Sequence, residues 1–223
     1  MTFLEICKAV RQEAGISGNG PMSVINQTGE MKRIVDWVAA AWREVQTHRR
    51  DWDFMKDEFQ FNTAVGVYEY SPAAASLTRF MRWLPTSLRI YETARGPNDG
   101  VELLQISFED YRRYYLTGTQ TESRPVAFAV NHKRNLVLGP HPMSEYTVIG
   151  DYVKSTQRLV NNDDVPDLDE DYHDVIMWGA LMKYAVYEAA GEVYARAESQ
   201  YSGYMNQMER LLLPDVTMPN SLC

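Results

Sequence analysis

The sequence predicts an α+β protein, a mainly α-helical bundle of N-terminal helices and a long C-terminal helix pair with a small antiparallel β region inserted between them. Three observations carry this. Apolar residues near the N-terminus recur at steps of three and four, the period of a helix with one buried face. From Phe59 to Val153 the runs are short, alternating and separated by Pro, Gly and Asn, as in strands joined by turns. From Asp169 to Leu213 a helical pattern returns and runs almost without interruption.

In chain order, Thr2 and Glu5 stand at capping-box spacing ahead of Phe3, Ile6, Cys7, Val10 and Ala14, which share a face, and Gly15 stops this helix. Ser17 to Thr28 is loop by composition. A second helix follows Thr28 as N-cap, with Ile34, Val35, Val38, Ala41, Trp42 and Val45 as its stripe and Trp37 beside it. His48, Arg49 and Arg50 place cations at its C-terminal end, where the helix dipole favours them. Trp52 and Phe54 anchor the turn out of it. Trp42, Val38 and Val45 are expected to pack on the small-residue face of the 172–190 helix, Gly179 included.

The run FQFNTAVGVYEY, from Phe59 to Tyr70, reads as a hairpin around Gly66. LRIYET (88–93) and VELLQIS (101–107) flank a turn, and Ser107 with Asp110 caps a short helix, FEDYRRYYL. Further strands are VAFAV (126–130), NLVLG (135–139) and YTVIGDYV (146–153). An acidic linker, Asn161 to Asp169, returns the chain to helix.

The C-terminal stripe is Tyr172, Ile176, Gly179, Met182, Val186, Ala190, Tyr194, Ala197, Tyr201, Tyr204, Met208 and Leu211, with a kink or break expected at Gly191. Its first half is rich in Gly and Ala, which let another helix approach closely, and its second half carries tyrosines. Asp167, Asp169, Glu170, Asp171 and Asp174 crowd its start, where free amides favour negative charge. The expected organisation is a helical body of residues 1–56 and 161–213, an inserted β-rich region with one short helix over 57–160, and a C-terminal arm, 214–223.

Composition narrows the function. With 223 residues and 45% hydrophobic content, the chain has ample length for a core. No apolar run approaches the roughly 18 residues of a membrane span. The N-terminal segment is charged at every turn, unlike a signal or transit peptide, so synthesis and assembly in a cytoplasm are expected. Cys7 and Cys223 have no metal-spaced companions and read as free thiols of a reduced compartment. The net charge of −8 is uneven: residues 161–223 hold three Lys/Arg against twelve acids, whereas 1–50 hold seven against five. Such a chain is poorly suited to gripping nucleic acid. Its acidic block suits a surface that nucleic acid slides past, or simply a solvated face.

The search for chemistry finds no constellation. His48, His132, His141 and His173 form no zinc-hydrolase motif. GISGNG (15–20) follows a helix rather than a strand and lacks the Lys-Ser/Thr of a phosphate loop. Asp167, Asp169 and Asp171 have the spacing of calcium-loop ligands, but Tyr172 and Trp178 stand where glycine and a bidentate glutamate are required; they read as helix caps. Arg112 and Arg113 among Tyr111, Tyr114 and Tyr115 mix base and aromatic as single-strand binders do, yet the tyrosines share a helix face and the arginines do not. No metal, cofactor or catalytic residue is expected.

Three stretches, QTGEMKRIVDWVAAAWREVQTHRRDWDFM (27–55), NLVLGPHPMSEYTVIGDYVKS (135–155) and YHDVIMWGALMKYAVYEA (172–189), together resemble a family of tailed-bacteriophage head-to-tail adaptor, or connector, proteins. The resemblance covers most of residues 1–213. It implies a homo-oligomeric ring, commonly of twelve copies, docked beneath the portal protein in the virion neck and assembled in the host cytoplasm. Such a ring extends the channel through which double-stranded DNA passes and offers a platform for tail or nozzle proteins, with no membrane involved. It also implies that the C-terminal arm reaches the portal, through Pro214, Val216, Met218 and Leu222. Given a DNA conduit, a weakly repelling lining is expected from Glu188, Glu192, Glu198 and Glu209, which fall off the apolar stripe. The competing reading is a small-ligand or nucleic-acid-binding module, or an enzyme with an unmarked site, using a groove between the β insertion and the helices.

Overall fold

The structure, a computed structural model, describes residues 1–18, 20–49 and 51–213. They form two compact units, one of Met1–Met55 with the described residues from Thr156 on, the other of Lys56–Ser155. With about 41% helix and 19% strand the protein is α+β, and helix dominates one of its two units rather than the whole.

The first unit holds four α-helices. In α1 (Phe3–Glu13) the capping box is complete: Glu5 N donates to Thr2 Oγ1 (3.3 Å) and Thr2 N to Glu5 Oε2 (2.7 Å). Phe3, Ile6, Cys7 and Val10 are buried. α2 (Gly29–His48) buries Ile34, Val38, Ala41, Trp42 and Val45. Thr28 occupies its N-cap position without a side-chain capping bond.

The long C-terminal pattern is two helices, α4 (Asp174–Tyr187) and α5 (Gly191–Leu211), preceded by a 3-10 turn at Glu170–Tyr172. α4 touches α1, α2 and α5 and buries Val175, Ile176, Met177, Gly179, Ala180, Leu181 and Ala185. It is therefore apolar all round rather than along one stripe. Along the predicted stripe Val186 and Leu211 are exposed, because each lies at a helix end beyond its neighbours. The break falls where expected, but the left-handed residue in it is Ala189 (φ 53°), while Gly191 already belongs to α5.

Two expectations about side chains hold only in part. Trp42, Val38 and Val45 are buried and α2 packs on α4, while Trp42 also stacks on Phe54 (5.9 Å) and donates Nε1–H to Gln157 Oε1 (3.1 Å). Ala41 is the α2 residue against Gly179: a Cβ on that glycine would lie 3.2 Å from Ala41 Cβ and 3.2 Å from the Tyr201 ring. Nor does Asp169 cap through its carboxylate; it precedes the 3-10 turn without a side-chain bond, and the N-cap of α4 is His173.

The segment after Thr156 is fixed by polar pairing. Gln157 N donates to Gln46 Oε1 (2.6 Å), and Gln46 Nε2 donates to Gln157 O (3.1 Å) and to Trp42 O (3.2 Å). Buried Gln46 thus satisfies backbone that would otherwise be orphaned. Asn162 does the same for the loop before α2, its Oδ1 accepting from Val24 N (2.7 Å) and Ser23 Oγ (3.1 Å).

The second unit is built on two sheets. In the first, β9 (Tyr146–Lys154) pairs antiparallel with β1 (Lys56–Asn62) on one side and with β3 (Phe80–Trp83) and β4 (Arg89–Glu92) on the other, and β4 pairs with β5 (Val101–Glu102). The second has the order β2 (Glu69–Tyr70), β8 (Leu136–Gly139), β7 (Ala127–Val130), β6 (Leu104–Gln105), with β6 parallel to β7. The expected hairpin around Gly66 does not form. β1 and β2 belong to different sheets, and Tyr70 Oη, which donates to Val67 O (2.6 Å) and accepts from Ala64 N (3.1 Å), ties the intervening segment into a loop. VELLQIS is likewise divided, Leu103 being buried between β5 and β6.

Alternation sets the packing. Phe59, Phe61, Trp83, Ile90, Val148 and Tyr152 of the first sheet join Tyr70, Phe128, Leu136 and Leu138 of the second in one core. The intervening residues Ala129 and Val137 face the other way, onto α3 (Phe108–Tyr115), whose Tyr111 donates Oη–H to Leu138 O (2.9 Å). The sheet is therefore covered on both faces, which is why VAFAV and NLVLG read as unbroken apolar runs. Only glycine fits at position 139, where a Cβ would lie 2.5 Å from the Tyr115 ring.

Candidate functional site

In the helical unit α2, α4 and α5 do not close on one another completely. They leave a groove of about 450 Å³ lined by Trp37, Glu44, Gly179, Met182, Lys183, Val186, Tyr194 and Tyr201. Met182, Val186, Tyr194 and Tyr201 come from the stripe read in the sequence, so part of that stripe lines the groove instead of being fully buried. Trp37 is the wall from α2, its ring 5.7 Å from Tyr187 and 6.0 Å from Tyr184. Arg33 lies over Tyr187 at 4.2 Å, a cation–π contact. At the other end Lys183 Nζ bridges to Glu44 Oε1 at 2.6 Å. Val186 (69% exposed) and Tyr187 (53% exposed) stand open beside it. An apolar floor with a charged lip is the make-up of a protein-docking surface.

The acidic candidates part company. Glu188, Glu192 and Glu198 are exposed, the first as C-cap of α4 and the second in the first turn of α5. Glu209 instead meets Arg49 (2.8 Å) and His48 (3.1 Å), and its hydrogen bond from Arg49 lowers its pKa. Its charge is answered within the chain. Pro214, Val216, Met218 and Leu222 lie outside the described residues, as do Arg50 and Cys223.

The histidines occupy four unlike settings. His173 is buried with Nε2 2.8 Å from Leu168 O, so that nitrogen carries the proton. His141 stacks on Tyr68 at 4.3 Å, His132 meets the edge of Phe108, and His48 pairs with Glu209. Perturbed groups are scattered and each has a structural cause. Burial pushes the Cys7 thiol up to about 12 and raises Tyr111 and Tyr201. Backbone hydrogen bonds lower Glu5 and Asp164. Among the described residues no three His, Cys, Asp or Glu side chains gather as a metal site would need, and no helix is long and apolar enough to cross a membrane.

The helical unit thus keeps an open groove lined by apolar, aromatic and charged side chains of α2, α4 and α5. The chain matches the model of the SU10 adaptor protein family over residues 1–221 and belongs to that family, one of phage head-to-tail adaptors. Its role is accordingly that of a bacteriophage structural protein, located in the virion and interacting with other head and tail proteins. No curated protein matches the chain.

Proposed function

We propose that copies of this chain form a ring beneath the portal, extending the DNA channel and providing the platform on which tail proteins assemble. The observation that carries the reading is family membership over nearly the whole chain. The open groove of α2, α4 and α5 supports it, since a component of a closed ring needs apolar surface to share with its neighbours. Twelve copies is the number we adopt. The arm, through Pro214, Val216, Met218 and Leu222, is assigned to the portal. Glu188, Glu192 and Glu198 are assigned to the channel, with Glu209 the weakest of that set because Arg49 and His48 hold it. Exposed carboxylates act over about 8 Å at physiological salt, so a repelling lining has to be repeated around the ring.

Electron microscopy of the purified protein, alone and mixed with portal, tests this. The expected result is closed rings stacked coaxially on the portal, with docking weakened by deletion of residues 214–223. Particles that stay monomeric with the portal present overturn the ring. Unchanged docking after the deletion overturns the role of the arm.

A further inference from the structure

The connection between α4 and α5 is built against the preference of its own sequence. Ala190 N donates to Ala185 O (2.9 Å) and Glu188 N to Tyr184 O (2.9 Å), a helix-ending closure that puts Ala189 at φ 53°. Glycine normally takes that position. Alanine there is strained, and alanine is also the best helix former. Glycine is present, two residues late, as the first residue of α5. The turn itself is open: Val186, Glu188 and Ala189 are exposed, a Cβ on Gly191 would have no heavy atom within 4 Å, and the nearest ring contacts are those of Tyr187 with Trp37 (5.7 Å) and Arg33 (4.2 Å) on α2.

A second observation points the same way. Met182, Val186, Ala190, Tyr194, Ala197 and Tyr201 keep helical spacing straight through the turn. A turn that joins two independent helices has no reason to preserve that phase. Run as one helix from Asp174 to Leu211, these residues share a face, along a rod roughly 57 Å long.

A third concerns how α5 is held. Its buried residues are Ala197, Met205 and Met208. Its other attachments include Tyr201 over Gly179, Tyr204 Oη to Asp174 Oδ2 (3.3 Å), Arg196 to Glu13 (3.0 Å) and over Trp178 (5.8 Å), Glu209 to Arg49 and His48, and Asp53 N donating to Leu212 O (3.0 Å) at its C-cap. Every one of these can be made by the α5 of another copy as well as by the chain's own.

We infer that α5 is an exchangeable element: the Glu188–Ala190 connection straightens, α4 and α5 become one helix, and α5 takes the same seat against α1, α2 and α4 of a second copy. Exchange keeps the contacts, removes the strain at Ala189, and brings the exposed Val186 and Tyr187 to where two straightened helices cross. The strain alone biases the balance toward exchange by roughly five- to thirty-fold. The inference concerns copies of this chain only and stands without the portal reading.

The test uses full-length chains with Cys7→Ala and Cys223→Ser, one carrying Asp174→Cys and a differently tagged one carrying Tyr204→Cys, co-expressed and treated with a short bismaleimide. Exchange yields an adduct joining the two tags. Ala189→Gly relieves the hairpin and weakens the straight helix, so it should lower the adduct at least about five-fold, and Gly191→Ala should raise it. A chain carrying both cysteines serves as control that the α4–α5 seat forms. No cross-chain adduct while that control links overturns the inference. So does an adduct indifferent to Ala189→Gly, which would mean that copies touch without exchanging α5.

Discussion

The two units solve the burial problem differently. In the β-rich unit the second sheet has the aromatic core on one face and α3 on the other, so β7 and β8 have no face left to offer. In the helical unit α4 buries Val175, Ile176, Met177, Gly179, Ala180, Leu181 and Ala185 but leaves Val186 and Tyr187 open, and α5 fully buries only Ala197, Met205 and Met208, so that a groove remains between them. A strand covered on both faces fixes its neighbours to within a side chain. A helix held along a narrow seam and by polar contacts has surface and freedom to spare. The comparison makes the β-rich unit the rigid part and α5 the adaptable one.

The largest expected effect is on the helical core. Trp42→Ala should cost about 3–5 kcal/mol, as truncation of a buried aromatic does. In urea, the helical signal should be lost early, while the near-ultraviolet signal of Phe59, Trp83 and Tyr152, packed together in the other unit, persists to higher denaturant. Simultaneous loss of both signals would break the comparison, because the two units would then share one stability.

A smaller effect tests the claim of rigidity. Gly139→Ala drives a methyl into the Tyr115 ring, with the nearest ring atoms at 2.5, 2.6 and 2.8 Å, and should destabilise by about 1–3 kcal/mol. Trimming the ring in the double variant with Tyr115→Leu should recover part of that. A loss below about 0.5 kcal/mol would show that α3 yields easily and that the β-rich unit is not the stiffer one.

The smallest effect concerns the polar ties of α5. Bonded by Arg49, Glu209 has its folded pKa below the unfolded 4.5. Its contribution to stability is therefore present above pH 4.5 and is lost as pH falls through the lower folded value. Arg49→Ala should shrink the drop in melting temperature between about pH 6 and about pH 3 slightly. A drop unchanged by the substitution would remove this ion pair from the account of how α5 is held.

What the sequence disclosed follows from how local each determinant is. α1 was legible to its capping box because Thr2 and Glu5 are three residues apart, and α2 because its stripe is continuous. The groove was half legible: Met182, Val186, Tyr194 and Tyr201 lie on the predicted stripe, whereas the Glu44–Lys183 bridge joins helices far apart in the chain. The hairpin at Gly66 failed because alternation says that a strand exists and not what it pairs with; Phe59 is opposite Gly150. β3 was missed because its four residues show no clear alternation, two exposed ones lying between Phe80 and Trp83. The Gln46–Gln157 pairing had no local signal, and no residue type announces that an alanine, not the nearby glycine, takes the left-handed position between α4 and α5.

The discontinuity of the helical unit has a consequence for the order in which the protein can be made. α1 and α2 leave the ribosome first, yet the helix that covers them, α4, begins only at Asp174. At 5–20 residues per second, the interval between the end of α2 and the start of α4 is roughly 6–25 s. The β-rich unit, whose central strand ends at Lys154, can close within that interval, while Ile34, Val38, Trp42 and Val45 wait uncovered. Nascent chains therefore carry an uncovered pair of N-terminal helices for many seconds, and holdase chaperones are the cellular factors on which the yield of this protein should depend.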